Sequence, residues 1–396
     1  MRSARPPRRK ALALAAAVAL AGGPAAADGW SVFGFISQMF EADSNLTLDP
    51  DDEEEAIGST TSLGLDIGTE TSRSSFTISP GATARVYSGG VDRTVMISPR
   101  LSSGFTHRAA TADLAGNFSF DMRPTEFSEI GELDVGAPDL DVISKESTEL
   151  SLNADLTAGF DIDSRNRFTI GPYARAVRYT DDGDTLSPST TYGMRSSFIH
   201  QVNNRYGLTA NLGGRRVKST GLNRSDSYIL DLGGGVRGQI SERFTLNGGL
   251  GASFVNSEDS RGETDNSVGL TLDADIGYAF QEDLSFWLRA SRGIEPSAEG
   301  GLQNQTVFST GLRHLINTRE AVDISLGYSS QSDADDLIAG GTDDNQLRAD
   351  LGYSVALTPE ISARIGYAAR WVPSGPDEAM SHKIQLTVSR NFTLQP

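Results

Sequence analysis

Between Ile361 and Trp371 every second side chain is apolar. Ile361, Ala363, Ile365, Tyr367, Ala369 and Trp371 alternate with Ser362, Arg364, Gly366, Ala368 and Arg370. A period of two is what a β-strand turns into two chemically different faces. The stretch before it repeats the pattern, with Leu347, Ala349, Leu351, Tyr353, Val355 and Leu357 against Arg348, Asp350, Gly352, Ser354 and Ala356. Only Thr358-Pro359-Glu360 separates the two, which predicts a tight hairpin. The chain closes on Ile384, Leu386, Val388, Arg390 and Phe392, interleaved with Lys383, Gln385, Thr387, Ser389 and Asn391.

The same alternation predicts strands near 147–161, 168–180, 191–203, 206–218, 226–240, 244–256, 266–280, 284–294, 305–316, 321–332, 345–357, 361–372 and 381–392. Softer boundaries place earlier strands near 59–70, 75–88, 93–107 and 114–127. Pro80 and Pro99 each remove a ladder donor there and predict irregular pairing. Trp30–Asp43, aromatic-rich and less regular, is the first strand of a set of about 18 (16–18). The connections are of two kinds. Short ones such as Asn203-Asn204-Arg205 and Ser241-Glu242-Arg243 alternate with longer polar ones such as Asp181–Thr190, Glu295–Asn304, Asp333–Asp344 and Pro373–Met380. Membrane barrels of bacteria show short turns at one rim and longer loops at the other.

Beyond the N-terminus no apolar run reaches the ~20 residues that a membrane-spanning helix needs. A crossing made by strands must be a closed barrel, because an open sheet leaves unpaired backbone groups in hydrocarbon. A soluble β-solenoid or propeller is the competing reading, but no repeat of fixed length is present. Aromatic placement favours the membrane. Phe160, Phe168, Tyr206, Phe244, Phe280 and Phe286 lie on the apolar face near short turns, and Tyr192, Tyr228, Phe254, Tyr328 and Trp371 lie on it toward long loops. Two such bands are the girdles expected at two interfaces. The fold class expected is all-β: a transmembrane antiparallel up-and-down β-barrel.

Residues 1–27 read as a secretory signal peptide, and 28–396 as the barrel. Arg2, Arg5, Arg8, Arg9 and Lys10 precede an apolar stretch from Ala11 to Ala21, and Ala25-Ala26-Ala27 offers a cleavage site. Cleavage removes five cations and takes the formal charge from −18 to −23, which argues against nucleic acid as a partner. There is no cysteine, so no disulfide framework or zinc–cysteine site is implied. No metal or other cofactor is expected. The four histidines, His107, His200, His314 and His382, all fall on the apolar face and do not converge on one site, so no catalytic residue is assigned. Gly233-Gly234-Gly235 and Gly248-Gly249-Leu250-Gly251 lack the helix and lysine of phosphate loops, and glycine in these strands is expected to relieve crowding or to permit the local bends of a closing barrel.

If the apolar residues face lipid, the other face lines the lumen. It receives the basic residues Arg175, Arg195, Arg215, Arg289, Arg348, Arg364 and Arg370 and the acidic residues Asp231, Asp273, Asp275 and Asp350. Arg175, Arg195 and Arg215 stand about ten residues from the nearest short turn on three successive strands, which predicts a basic ladder. Pairing of Arg with Asp across the wall is the alternative use of these charges. A barrel of this size encloses water, and the first strand begins too early to leave room for a plug. The longest connection, Ser128–Glu146, carries Glu129, Glu132, Asp134, Asp139 and Asp141 and is the candidate constriction loop.

Ser37-Gln38, Asp43-Ser44-Asn45 and Thr60-Thr61-Ser62-Leu63-Gly64-Leu65 resemble the start of proteins grouped as proteobacterial outer-membrane β-barrel porins, the second family so named. The aromatic near the C-terminus is also common at the end of such barrels. The resemblance implies a barrel in the cell outer membrane, and some relatives are associated with exopolysaccharide production. It implies no catalytic residue. The function expected is a channel for passive passage of small hydrophilic solutes. An exporter of anionic exopolysaccharide and a non-conducting structural or adhesive barrel are the alternatives. Expected partners are outer-membrane lipid and lipopolysaccharide, the barrel assembly machinery, and small hydrophilic solutes or polysaccharide. The oligomeric state is left open.

Overall fold

A computed structural model describes residues 29–46, 48, 53, 55–89, 95–125, 147–180, 186–221, 224–298, 300–333, 344–374 and 377–395. The signal-peptide segment and the acidic residues 129, 132, 134, 139 and 141 lie outside the described residues. The strands are β1 (Ser31–Asp43), β2 (Ala56–Glu70), β3 (Ser74–Ser88), β4 (Val95–Arg108), β5 (Ala112–Pro124) and β6 (Thr148–Asp161). They continue as β7 (Asn166–Tyr179), β8 (Ser189–Gln201), β9 (Tyr206–Ser219), β10 (Ser225–Ser241), β11 (Phe244–Glu258) and β12 (Thr264–Ala279). The last six are β13 (Leu284–Pro296), β14 (Leu302–Leu315), β15 (Glu320–Asp333), β16 (Asp344–Ala356), β17 (Ile361–Ser374) and β18 (Asp377–Gln395). Each strand pairs antiparallel with its sequence neighbours, and β1 pairs with β18 to close an 18-stranded ring.

The outward face is apolar. Ile365 is 53% exposed and Ile384 58%, and Leu63, Leu152, Leu250, Leu270, Leu326 and Leu351 are exposed with them. Such a belt around a closed wall is stable only against lipid, so the fold is a transmembrane β-barrel. Exposed Phe160 and Phe280 mark the short-turn end of this belt, and exposed Tyr192, Tyr228, Phe254 and Trp371 mark the long-loop end.

The short turns are built alike. Asp163 Oδ1 accepts from the backbone N–H groups of Arg165 (2.7 Å) and Asn166 (2.9 Å). Asn203 Oδ1 accepts from those of Arg205 and Tyr206, Asn317 Oδ1 from those of Arg319 and Glu320, and Thr358 Oγ1 from those of Glu360 and Ile361. A side-chain oxygen that mimics a backbone acceptor is why these residues favour turns.

β1 is more regular than its sequence pattern suggests, pairing along its whole length with both β2 and β18. β17 and β18 run to Ser374 and from Asp377, so the connection read as Pro373–Met380 is mostly strand. Both proline expectations hold. The β2–β3 ladder is interrupted between Gly64↔Gly81 and Ile67↔Ile78, around Pro80. The β4–β5 ladder stops at Arg100↔Asp121, next to Pro99. A third interruption, unforeseen, falls at Pro172 between Asp155↔Tyr173 and Ala158↔Ile170.

One hairpin leaves the wall. The β12–β13 ladder ends at Leu272↔Arg292, whereas β13–β14 pairing runs on to Pro296↔Leu302. The end of this hairpin turns into the barrel. Ile294, 0% exposed, packs with Val217, Ile229 and Val255 of the inner wall, with Leu302 beside them. The Ser187 N–H donates to the Ala298 carbonyl (2.7 Å), so the β7–β8 and β13–β14 connections meet across the long-loop end. The stretch read as the polar loop Glu295–Asn304 is thus partly an inward-folded element carried by two apolar anchors.

Candidate functional site

Strand register sets the height of each inner-wall side chain. One row runs Gly171, Arg195, Gly213 and Asp231; the row above runs Tyr173, Gly193, Arg215 and Ile229; the next holds Arg175, Thr191, Val217 and Ser227. The three arginines therefore stand on successive strands within two ladder steps. Glycine beside them is a spatial requirement: a Cβ on Gly193 would lie 2.8 Å from Arg215 Cβ and 2.6 Å from the Gly214 carbonyl oxygen.

Their partners differ. The Arg195 guanidinium lies 5.4 Å from the centre of the Tyr173 ring and forms no ion pair among the described residues. Arg175 buries its Nε with no hydrogen-bond partner among them. Arg215 reaches Asp231 (3.9 Å) on the neighbouring strand and, on the inward-folded hairpin, Glu295 (3.6 Å) and the Ile294 carbonyl (2.5 Å). Tyr173, Arg195, Arg215, Asp231, Asp273 and Arg292 line one cavity of about 450 Å³, spanning β6 to β13. Arg292, delivered by the hairpin, holds its Nε buried and without a hydrogen bond there.

The remaining predicted arginines are each paired with a carboxylate. Arg289 Nε donates to Asp275 (2.9 Å), its direct cross-strand partner, and Arg348 Nε donates to Asp350 (2.9 Å) on its own strand. Arg364 crosses over Gly352 to Asp323, two strands away, donating from Nη1 at 2.7 Å. Arg370 is the most buried. Its side chain is 3% exposed, and Nη2 donates to Asp43 (3.1 Å), Ser381 Oγ (3.1 Å) and the carbonyls of Asn45 and Leu46. Ser381 Oγ donates to the other Asp43 oxygen (2.6 Å). Lys383 lies 3.6 Å from Glu41, which also accepts from the Tyr87 hydroxyl.

Sequence reasoning missed Glu41, Asp43 and Tyr173 in these contacts, and it missed Arg292 and Glu295 on the hairpin. Glu41 and Asp43 share the inner face of β1 with Ser37, a period of two that was present but obscured by the neighbouring aromatics. The histidines stand apart, each with its own partner: His107 with Ser74 (2.8 Å), His200 with Asn166 (2.9 Å), His314 with Asp283 (4.0 Å) and His382 with Tyr367 (2.7 Å). Among the described residues no three His, Asp or Glu are grouped to hold a metal ion.

The wall pairs Arg289, Arg348, Arg364 and Arg370 with carboxylates and sets Arg195, Arg215 and Arg292 around a cavity of about 450 Å³. Known structures with this architecture include the FrpB iron transporter of Neisseria meningitidis, F5-1 variant. In the apoprotein form it has 11% identity over 92% of this chain and 81% of that one, with a TM-score of 0.51. A second FrpB structure of the same variant has 11% identity, covers 92% of this chain and 82% of that one, and gives 0.50. OccAB2 of Acinetobacter baumannii has 8% identity over 94% of this chain and 100% of that one, at 0.49. At such identities the likeness is one of fold. No curated protein sequence matches the chain. Residues 144–354, from just before β6 into β16, match the family described as "Protein of unknown function, DUF481", and because that match covers more than half of the chain, the protein belongs to this family.

Proposed function

We propose that this barrel is an outer-membrane channel for passive passage of small hydrophilic solutes, and that its lumen favours anions. The cavity at Arg195 carries this reading. There a guanidinium, stacked on Tyr173 and without an acidic partner among the described residues, faces open space beside Arg215 and Arg292. Cations grouped in a confined aqueous passage raise the local concentration of anions. The inward-folded β13–β14 hairpin narrows that passage, the role sequence reasoning had given to the connection Ser128–Glu146. Export through a cleaved signal peptide, and contact with lipopolysaccharide and the barrel assembly machinery, accompany the outer-membrane reading.

A second reading, a non-conducting structural barrel, is supported by the paired charges around Arg364 and Arg370 and by the apolar contacts at the long-loop end. Passage of an anionic exopolysaccharide, suggested by the porin-family resemblance, would also use a basic lumen. Recording in a planar bilayer separates the three. A channel gives steady conductance, and replacing Arg175, Arg195 and Arg215 together by Gln shifts its reversal potential toward cation selectivity. The shift is greatest at low salt, because screening acts over about 10 Å at 0.1 M. No conductance from the intact barrel favours the structural reading. Block by an acidic polysaccharide favours the exporter, and an unchanged reversal potential removes the arginines from the conducting path.

A further inference from the structure

Outward-facing positions near the long-loop end are apolar at Ile57, Val86, Val95, Leu347 and Trp371, all exposed. On β7 and β9 they are basic. Arg178 donates to the carbonyls of Val177 (2.7 Å) and Ser189 (2.8 Å) and to Thr190 Oγ1 (3.0 Å). Thr190 is the register partner of Lys218, so Arg178 and Lys218 flank one small side chain. One step lower, Arg216 stands between its register partners Tyr192 and Tyr228. It donates to the Tyr192 hydroxyl (3.1 Å), and its guanidinium lies 4.9 Å from the centre of the Tyr228 ring. Asp226 pairs with Arg216 (2.5 Å) and Lys218 (3.8 Å), and exposed Glu258 is its register partner on β11. Arg178 forms no ion pair among the described residues.

Directly beneath, the apolar belt has a gap. Gly214 sits in register between Met194 and Leu230, and a Cβ added to it would meet nothing within 4 Å. The result is an outward groove of about 900 Å³ bordered by Tyr192, Met194, Tyr228, Leu230 and Phe254. Nothing in the packing of the wall requires glycine at this point, so the groove is free to be filled from outside.

From the long-loop rim downward the order is cations, then tyrosines, then an apolar slot. That is the order of phosphate, sugar and acyl chain in an amphiphile of the outer leaflet, since long loops face the exterior in bacterial barrels. We propose that this surface binds a phosphorylated glycolipid of that leaflet. One phosphate rests between Arg178 and Lys218, the sugar lies against Tyr192 and Tyr228 with Arg216 held by Asp226, and an acyl chain occupies the groove over Gly214. Guanidinium and ammonium groups beside a phosphate form charge-assisted hydrogen bonds, stronger than those between neutral groups. The inference rests on the outer-membrane reading but not on conductance.

The test uses the full barrel in detergent, stripped of lipid and then offered lipid A carrying two phosphates, lipid A carrying one, or phosphatidylethanolamine. Native mass spectrometry counts the retained adducts. The unsubstituted protein retains the bisphosphorylated form preferentially, and an Arg178→Gln/Lys218→Gln variant retains it roughly tenfold less or worse, as expected for two lost cations at a membrane surface. Gly214→Leu fills the slot without touching charge and also lowers retention. All variants keep the gel shift between unboiled and boiled samples that reports a folded barrel. Retention by Arg178→Gln/Lys218→Gln equal to that of the unsubstituted protein overturns the phosphate assignment. Equal retention by Gly214→Leu overturns the acyl-chain assignment, and equal binding of all three lipids overturns the site.

Discussion

Arg370 and Arg195 occupy equivalent places in the alternation, each on the inner face of its strand, yet their surroundings are opposite. Around Arg370 the closure of β1 onto β18 brings Asp43, Glu41 and Lys383 together with Ser381 in a pocket where every one of these side chains is nearly sealed from solvent. Around Arg195 the flanking positions in its row are Gly171 and Gly213, and its nearest ring is Tyr173. The first arginine is held by the wall and holds it in turn; the second lies against a ring and faces a cavity. Residue type and face are shared by the two, so the difference in role comes from neighbours supplied by other strands.

The largest expected effect comes from breaking the sealed side. Arg370→Gln takes the guanidinium away from buried Asp43 and from the carbonyls of Asn45 and Leu46 and leaves Lys383 as the cation beside two buried carboxylates, and removing one partner of a buried pair costs about 3–5 kcal/mol. The midpoint of urea unfolding, followed by gel mobility of unboiled samples, should fall sharply. Adding Asp43→Asn to Arg370→Gln should restore part of the loss, because the uncompensated carboxylate is then gone. A double variant as unstable as the single one would mean that Arg370 acts through packing and not through charge.

Much of this was legible before the structure. The inner and outer faces of β16, β17 and β18 follow directly from the alternation, because one slipped residue would turn every leucine inward. Arg348, Arg364 and Arg370 were placed on the correct face for that reason. Their partners were not legible. Asp43 lies 327 residues from Arg370 in sequence and meets it only because the ring closes. Arg364 finds Asp323 by reaching over a glycine, a choice that depends on the empty side chain at position 352. The inward hairpin was hidden for another reason. Ile294 and Leu302 are two apolar residues on either side of a polar turn, and two residues have no period.

An intermediate effect separates Arg195 from Arg215. Arg215 spends its charge on Asp231, Glu295 and the Ile294 carbonyl, so it belongs partly to the held class even though it shares a cavity with Arg195. Arg195→Gln alone should therefore produce most of the selectivity change of the triple substitution. Arg215→Gln alone should change selectivity little but release the hairpin, and single-channel conductance should rise as the narrowing loosens. If the two single variants shift the reversal potential equally, the distinction between partnered and unpartnered arginines fails inside the lumen.

The smallest effect belongs to a charge in neither sector and gives a baseline for the other two. Asp163, in the fully exposed β6–β7 turn, has its carboxyl held below the usual range, first by the Asn166 side-chain amide and next by the Arg165 backbone N–H. A lowered folded value means that the carboxylate's contribution to stability is fully present above the unfolded value of about 3.9 and is lost as pH falls through the folded one. Asp163→Asn keeps the turn acceptor, as Asn203 and Asn317 do in the corresponding turns, and removes the charge together with the second oxygen, which accepts from the Asn166 amide. Its unfolding midpoint should sit slightly below that of the unsubstituted barrel at pH 7, and the gap should narrow on acidification below pH ~3. Asp163→Ala should sit lower still at both pH values, because two backbone N–H groups then lose their acceptor. A gap that stays constant with pH would show that the turn needs the two oxygens as acceptors and not the charge. The charge would then count only where, as at Arg370, the protein hides it from water.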